Sequence, residues 1–122
     1  MGESTYRRPV QPGYVLVERS KNHEVVLKDQ PAMLMQLSDA CREAGCQRVL
    51  IRGSGTTVKL SNIDIFELGE QIAKLGLRIA VVEEHDASPE HVEFLETVAA
   101  NRGGAIQFFA NEPDAKEWLG VS

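Results

Sequence analysis

Three stretches of this 122-residue chain hold side chains with chemical potential, and none spells out a reaction. The first runs from Gly53 to Ser61 and reads Gly53-Ser54-Gly55-Thr56-Thr57-Val58-Lys59-Leu60-Ser61. Gly53 and Gly55 admit unusual dihedrals, Ser54, Thr56 and Thr57 offer hydroxyls, and Ser61 stands before an apolar periodic run, where a helix N-terminus favours an anion. A Walker loop would need Gly-Lys-Ser/Thr opening the helix directly, and a dinucleotide fingerprint a third glycine, so neither pattern is met. The plainer reading is a connection ending in a capped helix, because Ser61 and Asp64 have the Ser-x-x-acid spacing of a capping box. A serine there is also placed to switch an interface electrostatically, which makes Ser61 a candidate phosphorylation site.

The second stretch is Glu83-Glu84-His85-Asp86, followed closely by Glu90 and His91. These residue types bind metals or move protons. The two histidines lack a His-x-x-x-His spacing, however, and acidic residues before a helix are explained by its dipole, so no metal and no cofactor are assigned. The third is Cys41 with Cys46, separated by four residues, which forms neither a Cys-x-x-Cys redox motif nor a zinc framework and reads as reduced thiols packed as small hydrophobes. His23 reads as an edge residue, and Trp118 with Phe108 and Phe109 as core. No Ser/His/acid or Cys/His arrangement is recognisable, and no catalytic residue is assigned.

The elements that must position these residues follow from periodicity. Gln47–Arg52 and Leu77–Val82 are short, rich in branched aliphatics and separated by an amphipathic stretch. They predict a βαβ crossover covered on both faces. Before it, Tyr14–Arg19 and His23–Leu27 read as strands that pair as a hairpin. A helix from about Ala32 to Ala44 follows, with Asp29 as cap candidate, Pro31 in its first turn and Gly45 at its end. The crossover helix buries Ile65, Leu68, Gly69 and Ile72, Gly69 implying close approach to the sheet, and Gly76 ends it. Ser88-Pro89-Glu90 opens a third helix with Val92, Leu95, Val98 and Ala99 inward. A strand at Ala105–Phe109 and a short helix presenting Ala115, Trp118 and Leu119 complete the chain. The expected class is therefore α/β: a single-domain, mixed, mostly parallel sheet of about five strands with four helices, spanning residues 14–122 after a tail over 1–13. Ligands in such sheets gather outside the carboxyl ends of the strands. That singles out Arg52, Gly53, Ser54, Gly55, Thr56, Ser61, Glu84 and His85 as loop residues for a ligand or partner.

Composition narrows the function classes. Hydrophobic residues at 43% and charged residues at 25% are ordinary globular values. The formal charge of −5, with Lys and Arg scattered singly apart from the doublet Arg7-Arg8, speaks against a nucleic-acid surface. No apolar run reaches the roughly 18 residues of a membrane span, so the expectation is a cytoplasmic protein without a transmembrane segment.

Four stretches carry a family resemblance: Arg78-Ile79-Ala80-Val81-Val82, the run Phe94-Leu95-Glu96-Thr97-Val98-Ala99-Ala100-Asn101-Arg102-Gly103-Gly104, Phe108-Phe109, and Ala115-Lys116-Glu117-Trp118-Leu119. Together they resemble the C-terminal half of bacterial SpoIIAA-like proteins of the STAS superfamily, relatives of the anti-sigma-factor antagonists. The resemblance implies a STAS-like sheet with helices on its faces that works by binding, in bacterial signalling, a protein partner such as a kinase or sigma-regulatory protein, with homodimerisation a further implied mode. In the antagonists a phosphorylatable Ser or Thr opens the helix after a central strand within an Asp-Ser-Ser-Gly-like stretch. Ser61 is the positional match, although Leu60-Ser61-Asn62-Ile63 lacks that motif. Comparison of the family with lipid-binding Sec14-type domains implies a hydrophobic-ligand role, and the carboxyl-end loops themselves leave the alternative of a small α/β ligand binder, for lipid, nucleotide or phosphorylated metabolite, or an enzyme using those loops as a pocket.

Overall fold

The structure, a computed structural model, describes residues 10–11, 13–19, 24–53, 57–83 and 89–121. Its elements in chain order are β1 (Val10–Gln11), β2 (Tyr14–Glu18), β3 (Glu24–Val26), α1 (Gln30–Ala44), β4 (Arg48–Gly53) and β5 (Thr57–Lys59), then α2 (Asn62–Leu75), β6 (Arg78–Glu83), α3 (Pro89–Asn101), β7 (Ala105–Phe109) and α4 (Glu112–Leu119). The main sheet has the order β1-β2-β4-β6-β7, parallel throughout except for β1, which pairs antiparallel with β2. The α/β class with a mostly parallel sheet and four helices thus stands. The predicted crossover lies at its centre as β4 and β6 with α2 between them in the chain, Arg48 standing opposite Arg78 and Gly53 opposite Glu83.

Each crossover advances one strand in the same direction. Right-handed connections that never reverse deliver their helices to one face. Accordingly α1, α2 and α3 share a core with Val15, Val17, Val49, Ile51, Ile79, Val81 and Ile106. The strand residues between these point the other way. There Tyr14, Leu16, Leu50, Ala80 and Val82 are covered by Ala115 and Leu119 of α4, with Phe109, Trp118 and Val121 at the margin.

Several expectations are corrected. The predicted hairpin does not form: β3 pairs in parallel with β5 in a separate two-stranded sheet, Val25 opposite Val58. The reason is that both edges of β2 are taken, one by β1 and the other by β4. It follows that the stretch read as a pure loop before Ser61 contains a strand, and that the expected tail contains one as well, at Val10–Gln11. Asp29 makes no side-chain cap bond. A 3-10 turn over Leu27–Asp29 leads straight into α1, leaving Asp29 in helical dihedrals (φ −89°, ψ −12°) rather than the extended ones a cap requires. Gly69 does mark a close approach, but to α3 rather than the sheet, since a Cβ there would lie 2.6 Å from Val98 Cγ1. Ser88 lies outside the described residues. Gly45 and Gly76 terminate α1 and α2 in the left-handed region as expected.

Candidate functional site

At the carboxyl end of the sheet, strand alternation separates two groups of polar residues. On the α4 side, Glu18 ends β2 and Arg52 occupies the penultimate position of β4, with the two residues in register. The Arg52 guanidinium donates through Nη2 to Glu18 Oε2 and through Nη1 to Glu112 Oε1 at 3.0 Å. Glu112, in the first turn of α4, also holds Lys116 at 3.1 Å. Burial works against the charge of Glu112, but the hydrogen bonds and charges of Lys116 and Arg52 outweigh it and hold the carboxyl below its ordinary value. Burial likewise disfavours the Arg52 cation, and its two carboxylates outweigh that and raise its pKa. Arg52 is therefore committed to fixing the start of α4 against β2 and β4. The helix start is set by Asn111, whose side chain accepts the Asp114 N–H at 2.9 Å.

On the opposite side stands Glu83. The sequence places it in an acidic loop, yet it is the last residue of β6 and continues the inward row of Ile79 and Val81. Both carboxylate oxygens are buried, and neither finds a hydrogen-bond partner among the described residues. The residue opposite is Gly53, which has no side chain to fill the adjoining position. A buried carboxylate without a donor among the described residues is costly, which makes Glu83 a candidate for meeting a ligand or partner group.

Next along the chain, α2 begins with the capping box read from sequence. Ser61 Oγ accepts the Asp64 N–H at 3.2 Å, and Asp64 Oδ2 accepts the Ser61 N–H at 3.0 Å. Ser61 is exposed, and its hydroxyl serves only as acceptor in this box. Beyond it lie two large apolar side chains that the core does not take up, Ile63 at 74% exposure and Phe66 at 38%. They are three residues apart and share one helix face. Arg102 from the end of α3 reaches over Phe66 at 5.0 Å and bonds Glu70 at 3.2 Å, leaving Ile63 as the most exposed large hydrophobic residue described.

Of the residues singled out on sequence, Arg52, Gly53 and Ser61 fall at this end of the sheet, whereas Ser54, Gly55, Thr56, Glu84 and His85 lie outside the described residues. Sequence reasoning passed over Glu18, Glu112 and Lys116, which no local pattern connects to Arg52. It also passed over Ile63, whose position outside the Ile65-Leu68-Ile72 stripe was a usable signal. Among the described residues no group of three His, Cys, Asp or Glu is placed to hold a metal ion. No described helix is long and apolar enough to cross a membrane. A scan against protein-family models finds no match, and a search of curated proteins returns no significant one.

Proposed function

We propose that the chain is a noncatalytic regulatory or binding module of the SpoIIAA-like, STAS type that engages a protein partner with the carboxyl-end surface around the start of α2. The observation that carries this reading is the exposure of Ile63 and Phe66 beside the exposed Ser61 cap. Apolar side chains held on a rigid helix at little ordering cost are what a partner can desolvate, and an exposed hydroxyl among them is where a phosphoryl group would act. A phosphate on Ser61 would meet the favourable helix N-terminus, but it would also displace the capping contact and face the Asp64 carboxylate, so modification would alter this surface directly. A kinase or a sigma-regulatory protein fits such a switch, and a cytoplasmic setting in a bacterial cell fits both.

The test is affinity capture from host lysate with the natural chain and with an Ile63→Asp/Phe66→Asp variant, followed by mass mapping of phosphate after incubation with ATP. A partner held by the natural chain and lost by the variant supports the reading. Equal capture by both rejects it, and phosphate only at residues other than Ser61 removes the switch.

Glu83 favours a second reading, a small-ligand binder whose cationic or hydrogen-bond-donating group meets the orphaned carboxylate. Thermal-shift measurement against nucleotides, phosphorylated metabolites, fatty acids and divalent ions distinguishes the two. Stabilisation by one class that disappears in Glu83→Gln selects the ligand reading.

A further inference from the structure

We infer that Cys41 and Cys46 constitute a reversible intramolecular disulfide site, closed by exchange with a low-molecular-weight disulfide. Both are free thiols in the structure. Helix α1 ends in a Schellman arrangement, in which the Gly45 N–H donates to the Arg42 carbonyl at 3.3 Å and the Cys46 N–H to the Cys41 carbonyl at 3.0 Å. That turn brings together the side chains at its first and last positions, a contact usually made by two apolar residues. Here both positions are cysteines. The spacing that fits no familiar redox motif is therefore the spacing a helix-ending turn uses to set two side chains against each other.

The two sulfurs are not equivalent. Cys41 is 2% exposed, whereas Cys46 is half-buried and makes only a weak contact to the Arg48 carbonyl at 3.7 Å. Burial, with the Cys46 thiol beside it adding to the effect, pushes Cys41 up to about 12. Both residues line an open concavity of about 630 Å³ at the amino end of the sheet, with Arg42, Arg48 and Arg78 among its walls. The accessible Cys46 is thus the attacking thiol and Cys41 the resolving one.

With glutathione disulfide as oxidant, the Cys46 thiolate attacks one of its sulfurs, forming a mixed disulfide and releasing one glutathione thiolate. Cys41 then loses its proton to solvent and attacks the Cys46 sulfur, forming the Sγ–Sγ bond and expelling the second glutathione. The chain gives up two electrons and two protons, and glutathione disulfide becomes two glutathione molecules. A buried thiol near a helix C-terminus, where the dipole disfavours an anion, gains nothing from ionising, so no thiolate stabilisation at Cys41 holds the pair open. Such a pair closes slowly and keeps its disulfide firmly once made.

The test is incubation of the folded chain with glutathione disulfide, followed by intact-mass and peptide mapping under acid quench. The expected product is a chain lighter by two hydrogens with Cys41 linked to Cys46, restored by dithiothreitol and formed faster as pH rises. In Cys41→Ala, lacking the resolving thiol, the glutathione adduct on Cys46 accumulates at least about tenfold above its level on the natural chain. A stable adduct on the natural chain equal to that on the variant overturns the proposal. So does a natural chain that stays unmodified when folded yet reacts when unfolded in urea. The peptide map of the natural chain decides the matter even where the variant folds poorly.

Discussion

At the amino end of the parallel sheet, helices α1 and α2 stop on left-handed glycines, and Arg48 and Arg78 tie down the last carbonyls of α4, at Leu119 (2.8 Å) and Trp118 (2.8 and 3.1 Å). At the carboxyl end the same strands run out onto a carboxylate with no hydrogen-bond partner described, an exposed cap and a helix face that shows Ile63 and Phe66 to solvent. One end spends its polar groups on holding the fold together. The other keeps, beside the Glu18–Arg52–Glu112 bridge and the Ser61 cap, a buried carboxylate and exposed apolar side chains that cost stability, and such groups persist where binding needs them. This difference is what supports placing the proposed partner surface at the carboxyl end.

Four substitutions sharpen this contrast. The largest effect is expected at Gly104, where a Cβ would sit 2.8 Å from the Ala73 Cα, a backbone atom that cannot swing aside. Gly104→Val should lower stability by about 3 kcal/mol in urea unfolding through overpacking of β7 against α2. Next comes Arg78→Ala, which removes two bonds to the Trp118 carbonyl and the guanidinium stacked 3.8 Å over its indole. A loss of about 2 kcal/mol is expected. Both changes should leave partner capture through the opposite end intact in whatever fraction stays folded.

At the carboxyl end the sign reverses for Glu83. Glu83→Met takes away a buried carboxylate without a donor among the described residues and should raise stability by about 1 kcal/mol. A fall of that size would mean that the carboxylate is held by a contact essential to the fold, and the contrast between the ends would break. The smallest change is Ser61→Ala, which loses one cap bond on an exposed helix start and should cost 1 kcal/mol or about half that, read from the same unfolding curves.

Much of this was legible in the chain before any coordinates. The aliphatic runs at Val49–Ile51 and Ile79–Val82, the glycines at 45 and 76 and the Ser61–Asp64 spacing each follow from local backbone physics, and each holds. What local reasoning missed is competition for partners. His23–Leu27 has strand character, but whether β3 meets β2 depends on who already occupies the edges of β2, which no window of sequence records. The same limit hid the Glu18–Arg52–Glu112 network, whose members are brought together only by register and by the return of α4. Gly69 gave the right signal for a close approach without saying which neighbour approaches. Cys41 and Cys46 were the converse case, since their spacing was visible but its meaning depends on the turn that separates them.

The contrast between the two ends is tested most directly by placing a photo-crosslinking amino acid at position 63 or at the exposed position 47 of the chain and irradiating host cells that express each form. Position 63 should yield a discrete adduct to a protein partner, and position 47, at the entry to β4, should yield none. A partner captured at position 47 and not at position 63 would contradict the assignment of the working surface to the carboxyl end.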